Sequence, residues 1–367
     1  MKRVLSIVPY PYLPYFSGGQ KLIALFNEYL GTHCTLLVAG TVNNDASLAK
    51  HYRFFPVLRA GKLRFFDLAA YRQLRAIVQQ QQVDTVIIEH PYLGWMGRLL
   101  QRQCGVQLVV HTHNVEYLRF RSIGKAWWPL LKLYEGWTLR LADRVLCISE
   151  EDRRHMIDVL GVREEQCLLV PYGIRQEAPP TGKAAAKEQL CLQYGLDAEA
   201  TLLFFNGLLD YKPNTDALDV ILHQIHPLLK QAGLRCQVLI AGKRLPARYS
   251  ELKSYAAGGI VYAGFVEDID ACTKGADILL NPVLSGGGVK TKMIEALGLN
   301  TTVVACSSAA AGVDPVLCGN KLKVVTDGDW QAFAAAVVEA AQEKSDLPTA
   351  FYDVHAWQQI ARRVSVL

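Results

Sequence analysis

The stretch Ser285-Gly286-Gly287-Gly288-Val289-Lys290-Thr291-Lys292-Met293-Ile294-Glu295-Ala296-Leu297-Gly298 comes directly after the apolar run Asp277-Ile278-Leu279-Leu280-Asn281. The order is that of a buried strand, a triglycine turn and a helix. Such a junction aims several backbone N–H groups and the positive end of a helix at one point, and here Lys290 and Lys292 stand beside it. That point is suited to a diphosphate. Glu295 lies further along the helix, where a carboxylate accepts hydrogen bonds from both hydroxyls of a ribose. Together these features describe a nucleotide-sugar site. The plainer alternative is a glycine-rich turn feeding an amphipathic helix whose lysines are simply solvated.

The rest of the chain fits an α/β protein with two cores. Its 367 residues exceed one ordinary α/β core, and a composition of 51% hydrophobic and 20% charged residues is that of a globular protein. The formal charge of +5 is modest and does not argue for a nucleic-acid partner, and none is expected, although it would help a docking face meet an anionic membrane. Nine scattered cysteines, odd in number and without a C-x-x-C pair, imply a reduced, cytoplasmic compartment with neither zinc nor a disulfide framework. The opening Met1–Val8 resembles the start of a signal peptide, but Pro9, Pro11 and Pro14 cut the apolar region short, and it reads as a first buried strand. No window reaches the roughly 20 apolar residues of a membrane span.

Strand-like runs alternate with helical patterns over nearly the whole length, the signature of parallel sheets covered by helices. They fall at Val4–Val8, Cys34–Val38, Thr85–Ile88, Val106–Val110, Val145–Ile148 and Leu168–Val170, and again at Thr201–Phe205, Gln237–Ala241, Ile260–Tyr262, Asp277–Leu280, Thr302–Ala305 and Leu322–Val325. A polar, proline-bearing segment, Arg175–Lys183, separates the halves, so we expect domains over 1–174 and 175–350. The remaining 351–367 carries an amphipathic helix, with Trp357 and Ile360 on its apolar side, expected to pack back on the first domain. Each half opens with a strand running into a turn and a helix, at Ser17-Gly18-Gly19-Gln20 and at Asn206-Gly207 onward. Two such units facing each other would leave an interdomain cleft lined by strand C-terminal ends. The G-x-G-x-x-G fingerprint is missing from both turns, which counts against a nicotinamide or flavin cofactor.

Four motifs then carry a resemblance: Gly207-Leu208-Leu209-Asp210-Tyr211-Lys212-Pro213-Asn214, Ile240-Ala241-Gly242, Tyr262-Ala263-Gly264-Phe265-Val266-Glu267-Asp268-Ile269, and Gly286 to Ala296. In their order and spacing the chain resembles the GT-B fold glycosyltransferases, specifically the retaining family 4 (group 1) enzymes. The resemblance implies two Rossmann-like domains, an acceptor domain followed by a nucleotide-sugar domain. It implies that Gly287, Gly288 and Val289 offer amides to the donor phosphates, that Lys290 and Lys292 add charge, and that Glu295 binds the ribose. Asn206, Gly207, Lys212 and Asn214 would complete the donor site, and the main chain at Phe265 and Val266 would edge the base. In the first domain Gly18 and Gly19 match a turn close to the donor phosphates or the acceptor. His113, in Val110-His111-Thr112-His113-Asn114-Val115-Glu116-Tyr117, matches the family's histidine beside the donor sugar; His111 is the second candidate, and Glu116 is either a surface charge or a residue that helps to orient His113. A pair of histidines capping a strand end is the plainer reading of the same residues.

Two positions depart from the family pattern. Gly287 stands where the first of two glutamates is common, a version seen in many members, and Leu208 stands where an arginine is expected. Losing one charge-assisted contact costs about 1.5–3 kcal/mol unless another group replaces it, and Lys243 and Arg244 are the candidates. No D-x-D triplet or equivalent carboxylate cluster marks a metal site, so amides, a helix end and lysines would carry the diphosphate charge, with UDP or GDP sugars as donors and no cofactor. The family precedent is retention, the leaving diphosphate taking the acceptor's proton. Tyr52–Phe66 and Leu118–Lys132 mix bulky apolar and basic residues, either as core-facing helices with basic edges or as a surface for peripheral membrane contact with a glycan or lipid-linked acceptor of cell-surface polysaccharide synthesis. The competing functional readings are a catalytically inactive nucleotide-sugar-binding partner subunit, suggested by Gly287 and Leu208, and another GT-B enzyme such as an epimerase or phosphorylase.

Overall fold

A computed structural model describes every residue except Met1 and Gly287. The chain divides into two compact units, Met1–Gly173 with Val354–Leu367, and Ile174–Asp353. The first is built on seven strands: β1 Arg3–Ile7, β2 Thr35–Thr41, β3 Arg53–Leu58, β4 Thr85–Glu89, β5 Gln107–His111, β6 Arg144–Cys147 and β7 Cys167–Leu169. The second has six: β8 Thr201–Asn206, β9 Cys236–Ala241, β10 Ile260–Gly264, β11 Ile278–Asn281, β12 Thr302–Cys306 and β13 Leu322–Val325. Every pairing is parallel, in the orders β3-β2-β1-β4-β5-β6-β7 and β10-β9-β8-β11-β12-β13. Helices cover both faces, which is why the central strands are continuous apolar runs rather than alternating ones.

In both sheets the strand order reverses once, between β1 and β4 and between β8 and β11. Connections leave such a switch point in opposite directions and open a crevice at the strand C-terminal ends, where open α/β sheets bind ligands. Both strands on the far side of these reversals end on a fully buried polar residue, β4 on Glu89 and β11 on Asn281.

β3 lies in a segment that reads in the sequence as a core-facing helix with basic edges or a membrane-facing surface, and not as part of the sheet. The reason is its place at the sheet edge: it pairs with β2 alone, only Leu58 is buried, and Pro56 is tolerated because an edge strand needs no ladder donor on its open side. Its register shifts opposite Gly40 and Thr41. A Cβ at Gly40 would come within 2.7 Å of the Phe54 ring, so only glycine lets β3 lie this close.

Two local devices fix the first unit's frame. Helix Gly18–Leu30 starts in a capping box, in which Ser17 caps the Gln20 N–H and Gln20 reaches back to the Ser17 N–H, while Gln20 Nε2 ties the preceding loop at Pro11 O, 3.0 Å away. The last helix, Trp357–Ser365, packs on that helix: Trp357 is buried against Phe26 and Tyr172, and a Cβ at Gly173 would strike its indole.

Candidate functional site

Glu89 and His111 end the adjacent strands β4 and β5 in register, and His113 follows two residues later. All three are buried. Glu89 Oε2 accepts the His113 Nε2–H at 2.7 Å; His111 Nδ1 is 3.0 Å from the same oxygen but outside hydrogen-bond geometry. Burial pushes the His113 pKa down to about 3, and the neighbouring His90 adds to the shift, so its ring is neutral at ordinary pH. Burial raises Glu89, but the His111 and His113 contacts override it and hold the carboxyl well below the usual range. A neutral imidazole that donates from Nε2 presents a bare acceptor at Nδ1, and His113 Nδ1 has no hydrogen-bond partner among the described residues.

A second network adjoins the first, with the His90 and His113 rings 4.1 Å apart. His90 adopts φ 63°, ψ 159°, a conformation nearly reserved for glycine that costs about 1–3 kcal/mol and marks a position held by its surroundings. Its Nδ1 meets Glu116 Oε1 at 3.0 Å and its Nε2 meets the Tyr10 hydroxyl at 2.5 Å. Glu116 also takes the Tyr92 hydroxyl and Arg119 Nε at 2.9 Å. Burial raises its pKa, but these partners lower it further, to about 2. Glu135, buried and pushed up to about 7 by desolvation, accepts the backbone N–H groups of Glu116 and Tyr117, both at 2.9 Å, and so fixes the start of helix Glu116–Ser122. His113, His90, Tyr10, Glu116 and Gly19 line a cavity of about 1100 Å³ whose other walls are aromatic, including Phe65, Trp95, Phe120 and Trp127, with Lys62, Arg64, Arg119 and Lys125 among them.

Glu89, His111 and His113 form a group that could hold a metal ion by residue type. Ligands placed about 2.0–2.1 Å from a tetrahedral zinc sit roughly 3.3 Å apart. The 2.7 Å between His113 and Glu89 is the spacing of a hydrogen bond instead.

In the second unit the candidate donor residues gather at the ends of β8 and β11. Helix Thr291–Gly298 begins after Lys290 with no side-chain cap, and Gly288 ahead of it takes φ 73°, which a residue with a Cβ resists. Gly287 lies outside the described residues. Val289 and Glu295 are half-buried. Lys292 Nζ bonds Asn206 O at 3.2 Å and lies 4.4 Å over the Phe205 ring; burial, with Lys290 nearby, pushes its pKa down to about 7. Lys290 folds onto the carbonyls of Gly286 and Gly288 at 2.5 and 3.2 Å and is also lowered by burial. The Asn214 amide bonds Leu208 O at 3.0 Å, and a Cβ at Gly207 would meet that amide. Lys212 is exposed and paired with Asp216. Phe265 is exposed beneath Lys243 Nζ, 3.9 Å from its ring, and Val266 is half-buried. Asn281, fully buried, leaves both side-chain polar atoms without a partner among the described residues, as does Asn206 at Oδ1. Unsatisfied buried amides are expensive, and here they converge at a switch point. Sequence reasoning passed over Glu89, His90 and Asn281 as strand ends.

The description "Glycosyl transferase 4-like domain" matches residues 44–173, and "Glycosyl transferases group 1" matches residues 200–343. The chain is 25% identical over 186 residues to an Escherichia coli protein named UDP-Gal:alpha-D-GlcNAc-diphosphoundecaprenol alpha-1,3-galactosyltransferase, covering 48% of each. It spans 48% and 59% of the lengths of the two curated relatives it matches. Among solved structures it superposes on sucrose-phosphate synthase from Thermosynechococcus elongatus with a TM-score of 0.73 at 16% identity, covering 100% of this chain and 98% of that one. HepE of Anabaena, solved in complex with UDP, gives a TM-score of 0.73 at 13% identity, covering 100% and 99%. Matched on both halves and superposed over its full length, the chain belongs to the group 1, family 4 glycosyltransferases and has their GT-B fold of two parallel-sheet, Rossmann-like domains.

Proposed function

We propose that the chain is a retaining, metal-independent glycosyltransferase that moves a sugar from a nucleoside diphosphate sugar to a glycan or lipid-linked acceptor in cell-surface polysaccharide or glycolipid synthesis. The observation that carries this reading is Lys292: a half-buried lysine with its pKa pushed to about 7, beside an uncapped helix start and an Asn281 amide without a partner among the described residues, is a cluster short of an anion. A diphosphate supplies it. HepE, solved with UDP and with UDP-glucose, supports UDP as the nucleotide, with GDP as the second choice. Glu295 takes the ribose, Gly207 lets Asn214 close over the β8 turn, and Phe265 and Val266 edge the base.

In the reaction the bond from the anomeric carbon to the phosphate oxygen breaks, its electron pair leaving with the diphosphate. The acceptor oxygen bonds the same face of that carbon, and its proton passes to the departing phosphate. Lys292, Lys290 and the helix amides stabilise the growing charge. His113 is the catalytic residue of this scheme: its free Nδ1 accepts a hydrogen bond from a sugar hydroxyl and sets the anomeric carbon in place. Glu89 holds its tautomer. The aromatic, basic-flanked cavity of the first unit suits an acceptor with an apolar carrier and an anionic linkage, as the name of the Escherichia coli relative describes for that protein. Leu63, Phe66, Leu130 and Leu133 are 70–82% exposed near Lys62, Arg64, Lys125 and Lys132, a composition that favours contact with an anionic bilayer. No helix among the described residues is long and apolar enough to cross a membrane.

A thermal-shift screen of UDP-, GDP- and dTDP-sugars tests the donor, since a ligand at a hundred times its Kd adds about 2.7 kcal/mol of stability. Transfer to polyprenyl-diphosphate sugars, with the product's anomeric configuration read by NMR, tests the rest. An inverted product would end the retaining scheme, and nucleotide binding without turnover on any acceptor would favour the inactive partner. Flotation with anionic vesicles, compared between the wild type and Phe66→Ala/Leu130→Ala, tests the membrane contact; equal flotation of the two would remove these side chains from it.

A further inference from the structure

The second sheet has a polar cavity at the strand ends opposite Asn206 and Asn281. It is about 260 Å³, lies where β8, β12 and β13 begin and β11 is entered, and contains the side chains of Lys183, Lys187 and Lys321. Lys183 spends all three donors within the fold, on Lys274 O at 2.9 Å, Ala276 O at 2.6 Å and Thr301 Oγ1 at 2.9 Å. Lys187 spends two, on Ala200 O at 2.9 Å and Asp277 Oδ2 at 2.7 Å. Lys321 is the exception. It is 5% exposed, yet its Nζ meets Thr302 Oγ1 only at 3.4 Å, which leaves two N–H groups over among the described residues. Burial lowers the pKa of both Lys321 and Lys183, the latter to about 7, and the charges of Lys321, Lys187 and Lys274 add to the shift on Lys183.

The acids nearby do not use up these donors. Asp277 Oδ2 already takes Lys187 and the Leu202 N–H at 2.8 Å. Glu343, half-buried, accepts the Ser345 N–H at 2.8 Å, and Glu199 is exposed; Glu343, Asp346 and Asp277 offset the cost of burying Lys321 through space. A buried ammonium with spare donors facing a polar cavity lacks an acceptor of its own. We propose that this cavity is a second anion site, separate from the nucleotide site, in which Lys321 and Lys187 bind a small phosphate-type oxyanion, either free phosphate or a phosphate monoester. The volume is below the roughly 300–1,000 Å³ of drug-sized ligand pockets, which suits a small ester and excludes a nucleotide.

The test is titration calorimetry at fixed ionic strength on the full chain, with inorganic phosphate and with glycerol 3-phosphate as probes. We expect saturable binding that weakens at least tenfold in Lys321→Met and in Lys187→Gln and stays within twofold in Lys292→Met, which instead loses UDP. Whichever probe binds more tightly identifies the source of the phosphate group. Lys187→Gln, at a half-buried position, keeps the test sharp if Lys321→Met does not fold. No saturable binding by the wild type, binding removed only by Lys292→Met, or equal binding in every variant would each overturn the proposal.

Discussion

Replacing Glu89 with Gln keeps the side chain's size and removes its charge, and so isolates what that carboxylate does for His113. The Glu89–His113 contact is a 2.7 Å charge-assisted hydrogen bond between buried groups. Such a bond contributes about 1.5–3 kcal/mol, against 0.5–1.5 for a neutral one, so the substitution removes about 1–2 kcal/mol of preference for the Nε2–H tautomer. The new amide can also donate to Nε2 and drive the proton to Nδ1, the atom left without a partner to receive a sugar hydroxyl. In serine protease triads the same kind of exchange lowers turnover about 10⁴-fold by trapping the wrong tautomer. His113 is proposed to hold a hydroxyl and not to carry a proton, so we expect a smaller loss, about 10²–10³-fold in kcat, or roughly 3–4 kcal/mol. UDP affinity should stay within twofold, since its proposed site is built from the other unit. Histidine ¹⁵N chemical shifts report the tautomer, a transfer assay the rate, and UDP titration the donor site. A variant that turned over at the wild-type rate with Nε2–H intact, or one that lost UDP binding in parallel with rate, would refute the positioning role.

Lys292 makes a prediction about pH. Its pKa in the free protein is pushed down to about 7, and a bound diphosphate raises it, so above pH 7 binding takes up a proton and UDP affinity falls by up to tenfold per pH unit until about pH 10. Calorimetry in buffers of different ionisation enthalpy should show uptake of close to one proton at pH 8 in the wild type and much less in Lys292→Met; equal values would sink the assignment. Trp357→Ala empties a buried site against Phe26, Tyr172 and Gly173 and should cost about 3–5 kcal/mol in a urea melt without changing UDP affinity. A loss below 1 kcal/mol would mean that the last helix is not part of the first unit's core.

The elements readable in the sequence were those whose signal is local. Thr85–Ile88 and Thr302–Ala305 lie in interior strands, buried on both faces, and an unbroken apolar run has no other soluble use at that length. Arg53–Leu58 was illegible for the opposite reason: an edge strand with one buried residue and a proline looks like any surface stretch, and its place follows from β2 lying beside it. The succession of strand and helix from Ile278–Asn281 to Thr291–Gly298 was readable because its residues are adjacent. Glu89 was not. Its meaning depends on β4 and β5 being neighbours in register, which brings a strand-ending glutamate against histidines 22 and 24 residues later. A carboxylate closing one buried strand and a histidine closing the next is the signal that would have exposed it. Trp128 shows the same limit, since the core-facing and surface readings of Leu118–Lys132 did not separate it from Trp127; in the fold it stacks on Tyr117 while Trp127 remains 45% exposed.

The unusual Leu208 poses the remaining question of which cation answers for the arginine expected there. Leu208 is 43% exposed and its carbonyl is held by Asn214, so the turn is intact and only the charge is missing. Arg244 is committed elsewhere, paired with Asp210 at 3.4 Å on an exposed surface, an interaction of about 0–1 kcal/mol that ties the guanidinium to its own loop. Lys243 has no such acidic partner among the described residues. It sits 3.9 Å over the exposed Phe265 ring, the position proposed to edge the base, where a flexible ammonium can turn from the ring to a phosphate at the cost of a cation–π contact of about 0.5–1 kcal/mol. A charge-assisted phosphate contact returns about 1.5–3 kcal/mol, so the exchange favours binding. Lys243→Met should therefore weaken UDP about 2- to 70-fold and leave uridine binding nearly unchanged, because uridine carries no phosphate, whereas Arg244→Met should change neither by more than threefold. If Arg244→Met alone weakened UDP, the Asp210 pair would have to be broken in the complex and the two assignments exchanged. If neither did, Lys290 and Lys292 would carry the diphosphate by themselves.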